Sequence, residues 1–191
     1  GQLSGTAATD WSWSALFCDF DGDARKDLFI TNGIWRRPND LDYLKYLSNE
    51  QVQQSAGDLE LASHMPEGKV PNYAFYNKGN WTFADSSSAW GLDLLGCSNG
   101  AAYADLDADG DPDLVLNNLN APASLYENRT EDGQFLTVRL EGEGKNPFGL
   151  GARVTLTGPA GEQTQELYTT RGFQSAVPPE LYFGLGGKKP E

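Results

Sequence analysis

The chain has 191 residues, 39% hydrophobic and 12% aromatic, enough for one or two domains with real cores and too apolar for a disordered acidic tail. Lys and Arg total 14 against 27 Asp and Glu, a net charge of −13 that repels phosphate backbones and anionic lipid heads, so nucleic acid and membrane surfaces are poor partners. No apolar run approaches the ~18 residues of a membrane span, so no membrane insertion is expected, and the two cysteines, Cys18 and Cys97, are too few for a disulfide scaffold. They could pair or remain thiols.

In chain order, the first feature is an apolar run from Trp11 to Cys18, then the acidic loop Asp19-Phe20-Asp21-Gly22-Asp23, then Asp27-Leu28-Phe29-Ile30-Thr31-Asn32. The runs are short and rich in strand formers, which predicts two strands joined by the acidic loop. The pattern returns 86 residues later, Asp105 standing where Asp19 stood, through Asp105-Leu106-Asp107-Ala108-Asp109 to Asp113-Leu114-Val115-Leu116-Asn117-Asn118. A second echo links Tyr73-Ala74-Phe75-Tyr76-Asn77 with Ala123-Ser124-Leu125-Tyr126-Glu127-Asn128, and Lys78-Gly79-Asn80 turns the first copy into Trp81-Thr82-Phe83. Each unit is expected to hold about four short strands, like a propeller blade. Between them, at about 38–66, a helical insertion is predicted: Pro38-Asn39-Asp40 offers a start, and Leu41, Tyr43, Leu44 and Leu47 share one side. A second short helix is expected from Leu59 to His64, ended by Pro66-Glu67-Gly68.

After Glu131-Asp132-Gly133 the pattern changes. Phe135 to Leu140 alternates as a half-buried strand does, and further strands are expected at Gly151–Leu156, Gln163–Thr169 and Leu181–Phe183, with turns at Asn146-Pro147, Gly158-Pro159 and Pro178-Pro179. The expected architecture is therefore mainly β. Residues 1–131 form two blade-like units with the helical insertion, and residues 132–191 form a small β-sandwich domain. The ends, Gly1-Gln2-Leu3 and Lys188-Lys189-Pro190-Glu191, read as those of an excised piece of a longer protein. The lack of a basic-then-apolar leader then carries no information on location.

The acidic loops carry the chemistry. Asp19, Asp21, Asp23 and Asp27 recur as Asp105, Asp107, Asp109 and Asp113. Clustered carboxylates repel unless a cation joins them. A curling loop presents alternate side chains inward, as the six to eight oxygens around calcium require, and backbone carbonyls at Arg25 and Asp111 are expected to fill the gap. All-oxygen ligation favours Ca²⁺ over zinc or copper, and magnesium prefers a compact octahedron that keeps waters. The expectation is one ion per loop, about two per chain. An EF-hand does not fit, since its twelfth position would be Ile30 or Leu116 instead of Glu. The plain alternative is a pair of acidic turns held by their own hydrogen bonds without metal.

These loops resemble the FG-GAP or VCBS repeats, the calcium-loop blades of integrin-α-type β-propellers, with Phe75-Tyr76-Asn77 and Leu125-Tyr126-Glu127-Asn128 similar to the strand that follows. Ala24 departs from the usual Gly or Asn. Asn146-Pro147-Phe148-Gly149-Leu150-Gly151-Ala152-Arg153-Val154, Arg171-Gly172-Phe173-Gln174-Ser175 and Leu181-Tyr182-Phe183-Gly184-Leu185-Gly186 resemble the ASPIC/UnbV domain of cartilage-acidic-protein-like chains. The insertion, with Asn72-Tyr73 after Gly68-Lys69-Val70-Pro71, is similar to bacterial members. The resemblance implies a secreted or cell-envelope protein and no defined reaction. A propeller needs about four blades to close, so two units are expected to leave an open edge, free or covered by a second copy.

The expected function is a calcium-binding extracellular adhesion or ligand-binding module without catalysis, its partner a protein or glycan at the cell surface. The alternatives are a non-catalytic part of a calcium-dependent polysaccharide-processing enzyme and a structural spacer. Trp35, Trp81 or Trp90 could stack on sugars. Little favours catalysis: His64 is the sole histidine and lies in the insertion, no G-x-S-x-G, H-E-x-x-H or Walker loop occurs, and the paired carboxylates are those a calcium ion would consume. Asn80-Trp81-Thr82 and Asn128-Arg129-Thr130 fit a glycosylation sequon, which matters only on a eukaryotic secretory route.

Overall fold

The computed structural model describes residues 1–186. It is mainly β, in several small antiparallel sheets, and the described residues close no barrel or ring. The first sheet has four strands in the order β1 (Ser12–Cys18), β2 (Asp27–Asn32), β6 (Tyr73–Asn77), β7 (Phe83–Asp85). The second has three, β9 (Ser98–Ala104), β10 (Asp113–Asn118) and β11 (Ser124–Tyr126), one fewer than expected for each unit. Between β2 and β6 the chain leaves through β3 (Ile34–Arg36) and returns through β4 (Glu67–Gly68), which pair across the base of the insertion. β5 (Val70–Pro71) pairs with β8 (Leu95–Gly96). The sequence signalled none of these two- and three-residue strands, because so short a run has no periodicity to read.

The insertion holds three helices where two were expected: α1 (Leu41–Leu47), α2 (Glu50–Ser55) and α3 (Asp58–His64). Asp40 caps α1 by accepting hydrogen bonds from Asp42 N and Tyr43 N, as its position before the apolar stripe predicts. The unforeseen α2 starts on an Asn49 cap, and its Gln-rich stretch has almost no apolar stripe to reveal it. Of the three helices only Tyr43 is buried, so the insertion contributes little to the core.

The main core lies between the two sheets. Leu16, Cys18, Phe29 and Ala74 of the first meet Ala101, Tyr103, Leu114 and Leu116 of the second, with Phe20 and Leu92. The repeat extends to single hydrogen bonds. Ser12 Oγ donates to Asn32 Oδ1 at 2.7 Å, and Ser98 Oγ donates to Asn118 Oδ1 at 2.8 Å, the two pairs lying 86 residues apart. Cys18 and Cys97 are both free and buried, which settles the pairing left open by the sequence.

The C-terminal segment forms two two-stranded sheets, β12 (Phe135–Arg139) with β15 (Glu180–Gly184) and β13 (Arg153–Gly158) with β14 (Gly161–Glu166). Side chains of both meet in one cluster around Leu167, Leu181 and Phe183, with Val138, Val154 and Leu156 against it. This segment also enters the main core, where Val177 and Tyr182 pack with residues of both repeated sheets. The Arg171–Ser175 turn wedges against the sheets: Phe173 N donates to Ser14 Oγ at 2.8 Å, Ala101 N to Ser175 Oγ at 3.1 Å, and the Phe173 ring lies 4.8 Å from that of Trp13.

Candidate metal centres

Each acidic loop connects the first two strands of its sheet, β1 to β2 and β9 to β10, so both lie at corresponding ends of the sheets. Their backbones repeat. Gly22 and Ala24 are left-handed (φ 73° and 74°), as are Ala108 and Gly110 at the matching positions (φ 67° and 102°). Glycine eases the turn at Gly22 and Gly110; each loop has a second left-handed position filled by alanine, at a cost of about 1–2 kcal/mol. These reversals bring alternate side chains to one side. Carboxylate oxygens of Asp19, Asp21 and Asp27 lie within 4.8 Å of one another, and so do those of Asp105, Asp107 and Asp109.

The last aspartate of each loop is a clamp. Asp27 accepts from Phe20 N at 3.1 Å and Asn77 N at 2.9 Å; Asp113 accepts from Leu106 N and Asn128 N, both at 2.8 Å. One carboxylate thereby ties the loop entry to Asn77 at the end of β6 in the first unit, and to Asn128, two residues beyond β11, in the second. Asn77 and Asn128 were not singled out as site residues, although the shared Asn at the end of the second echo was the available signal.

Beyond that the loops differ. In the first, Asp19 accepts from Gly22 N and Ala24 N at 2.7 and 2.8 Å, and Asp21 accepts from Asp23 N at 3.2 Å. Asp23 is turned to the Arg25 guanidinium, which also donates to Asn77 O and Tyr76 Oη. The residue expected to offer a carbonyl thus supplies a cation through its side chain. The loop is also enclosed. Asn128 Nδ2 and Thr130 Oγ1 donate to Phe20 O, Gly186 N donates to Gly22 O, and a Cβ at Gly184 would overlap the Asp19 carboxylate.

The second loop has aspartate, Asp111, where the first has Arg25, and no guanidinium answers its charge. Asp107 accepts from Asp109 N at 3.3 Å and Asp109 from Asp111 N at 3.1 Å. Asp105 Oδ1 and Asp111 Oδ1 are buried with no hydrogen-bond partner among the described residues. Asp107 and Asp109 face solvent, giving an ion a way in. The electrostatics agree with crowded anions: burial first, then neighbouring carboxylates, pushes Asp19 and Asp111 up to about 7. Asp27 also rises to about 7, mainly through burial and against its two backbone hydrogen bonds. The second loop fits a hard cation: two orphaned buried oxygens, convergent carboxylates and all-oxygen chemistry.

Other residues considered for function lie apart. His64 stacks on Tyr46 at 4.3 Å within the insertion. Trp81 is 86% exposed at the β6–β7 turn, whereas Trp35 and Trp90 are half-buried. No described helix is long and apolar enough to cross a membrane.

Comparison with known proteins adds to this geometry. Cartilage acidic protein 1 of Mus musculus and of Xenopus tropicalis are each 38% identical to this chain over 65 residues, 34% of this chain and 10% of the relative. The Homo sapiens protein is 37% identical over 65 residues. The matched stretch thus spans about a tenth of the length of these curated relatives. Residues 142–191, which include the core-forming β15 and the Arg171–Ser175 wedge, match the family model described as ASPIC and UnbV.

Proposed function

We propose that this chain is a calcium-stabilised, non-catalytic binding module that works outside the cell or in the cell envelope, built of two FG-GAP-like blades and an ASPIC/UnbV-like β domain. Its partner is a protein or glycan of the cell surface. The observation that carries the reading is the loop 105–113, where Asp105 Oδ1 and Asp111 Oδ1 are buried and unpartnered beside the convergent Asp107 and Asp109. An uncompensated buried carboxylate oxygen costs more than about 1–3 kcal/mol, and a bound dication removes that penalty. Asp105, Asp107, Asp109 and Asp111 hold the ion, and Asp113 fixes the loop to β10 and Asn128. The loop 19–27 is the weaker second site, because the Arg25 guanidinium already neutralises Asp23 and backbone amides occupy Asp19. Calcium supplies charge neutralisation and a rigid link between strands. Extracellular sites of this kind hold calcium at about 10⁻⁴–10⁻³ M, so they fill outside the cell and empty in cytosol. The non-catalytic reading is supported by the placement of His64 and by the commitment of the clustered carboxylates to the loops.

Calorimetric titration with calcium, paired with melting curves, tests this. The expected result is a tighter event lost in Asp107→Asn/Asp109→Asn, a weaker one retained, and a rise in melting temperature that magnesium reproduces poorly. An isotherm without heat and a melting temperature indifferent to calcium would refute the proposal.

A further inference from the structure

Where β9 and the far end of β10 meet the Arg171–Ser175 turn lies a groove of about 280 Å³. In a chain of which 21% of residues are charged, none of the residues lining it is. Three side-chain amides line it instead: Asn99 on β9, Asn117 on β10 and Gln174 on the turn. None of the three makes a side-chain hydrogen bond to a described residue. Each primary amide offers two N–H donors and a carbonyl acceptor side by side.

The surroundings hold these amides in place. Asn99 O accepts from Ser14 Oγ at 3.0 Å and from Thr31 Oγ1 at 2.7 Å. Asn117 stands at the register shift between Leu116 and Asn118. The turn is pinned on both sides of Gln174: Phe173 N donates to Ser14 Oγ, and Ser175 Oγ accepts from Ala101 N and donates to Phe173 O at 2.7 Å. It sits so close to β9 that a Cβ at Gly100 would lie 2.8 Å from Ser175 Oγ. Gln174 is thereby fixed in the left-handed region at φ 47°. That conformation is unfavourable for a side chain with a Cβ, and such strain gathers where a protein clamps a ligand.

We propose that this groove binds an uncharged sugar unit. Neighbouring hydroxyls of a sugar ring match the paired donor and acceptor of a primary amide. The half-buried Phe173 adds an apolar edge, in the usual mixture of a few polar groups and apolar wall. A uronate or a sulfated sugar would meet no cation here, in a chain of net charge −13. The site gives the glycan partner a place and a chemical class. It rests on the reading of the chain as a binding module and not on the calcium loops, since Asn99 and Asn117 lie toward the ends of β9 and β10 away from the loop 105–113.

Saturation-transfer NMR and calorimetry on the full chain, with neutral trisaccharides of glucose, galactose, mannose and N-acetylglucosamine and with trigalacturonate, test the site. At least one neutral trisaccharide is expected to bind, and trigalacturonate is not. Asn117→Ala and Gln174→Gly should each weaken that binding about tenfold, by removing the hydrogen bonds of one amide. Gln174→Gly should melt no lower than the wild type, because the backbone strain goes with the side chain, so its loss of binding is not a loss of fold. Asn99→Ala replaces either variant if it melts lower. Asp107→Asn/Asp109→Asn, studied below its melting point, should bind sugar as the wild type does. Calcium heat without sugar binding therefore refutes the groove alone, and sugar binding without calcium heat refutes the ion alone. The assignment is overturned if no neutral trisaccharide binds, if trigalacturonate binds as tightly, if a folded groove variant binds as the wild type does, or if the folded loop variant loses the sugar.

Discussion

Position 25 and its repeat counterpart 111 decide how the two acidic loops differ. One side chain inverts the local charge: Arg25 neutralises Asp23, while Asp111 adds a buried oxygen without a partner. Asp111→Ala should therefore act in opposite directions in two buffers. In chelator the variant melts higher, since the loss of an unsatisfied buried group recovers about 1–3 kcal/mol. In excess calcium the gain shrinks or reverses, because a ligand has gone. The left-handed alanines give a second expectation at this scale. Ala108→Gly and Ala24→Gly each relieve a strained φ and should stabilise the chain by about 0.5–1 kcal/mol after the entropy glycine adds to the unfolded state. Differential scanning calorimetry reads both, at roughly 2–4 °C per kcal/mol for a domain of this size.

At the scale of the element, burial separates what holds the fold from what decorates it. Phe29, fully buried in β2, touches the shared core of both sheets, so Phe29→Ala should cost about 3–5 kcal/mol in denaturant titration. Leu41 in α1 is 81% exposed, and Leu41→Ala should change stability by less than about 0.5 kcal/mol. Both residues carry apolar side chains in regular elements, and the sequence ranks them alike. The long, repeated elements were legible: β1, β2, β9 and β10 fall where the apolar runs flank the acidic loops, and the Asp40 cap marks α1. The pairs β3–β4 and β5–β8 were not, because they exist through long-range backbone pairing and not through any local pattern.

At the scale of the whole molecule, the C-terminal segment is part of the core. Val177 and Tyr182 pack among residues of both sheets, and Asp105 N donates to Tyr182 Oη at 3.1 Å, so the segment braces the second loop from behind. Thermal unfolding of the full chain is expected to show one calorimetric transition, with van't Hoff and calorimetric enthalpies equal within error. Two separated peaks would mean that the ASPIC/UnbV-like segment unfolds independently. Limited proteolysis should cut first in the insertion, whose helices bury only Tyr43.

The sequence by itself determined the repeat, the strands around each acidic loop, the carboxylate spacing and the predominance of β structure, because alternation and recurrence are local properties written in residue order. Only the tertiary structure decided which carboxylates converge, that Asp27 and Asp113 act as clamps on Asn77 and Asn128, that Arg25 turns its side chain onto Asp23, and which oxygens are left without a partner. Those outcomes depend on the positive-φ reversals within the loops and on strands distant in sequence arriving beside them. A chain's order of residues does not specify which backbone amides will lie within hydrogen-bond reach of a given carboxylate; the packed sheets do.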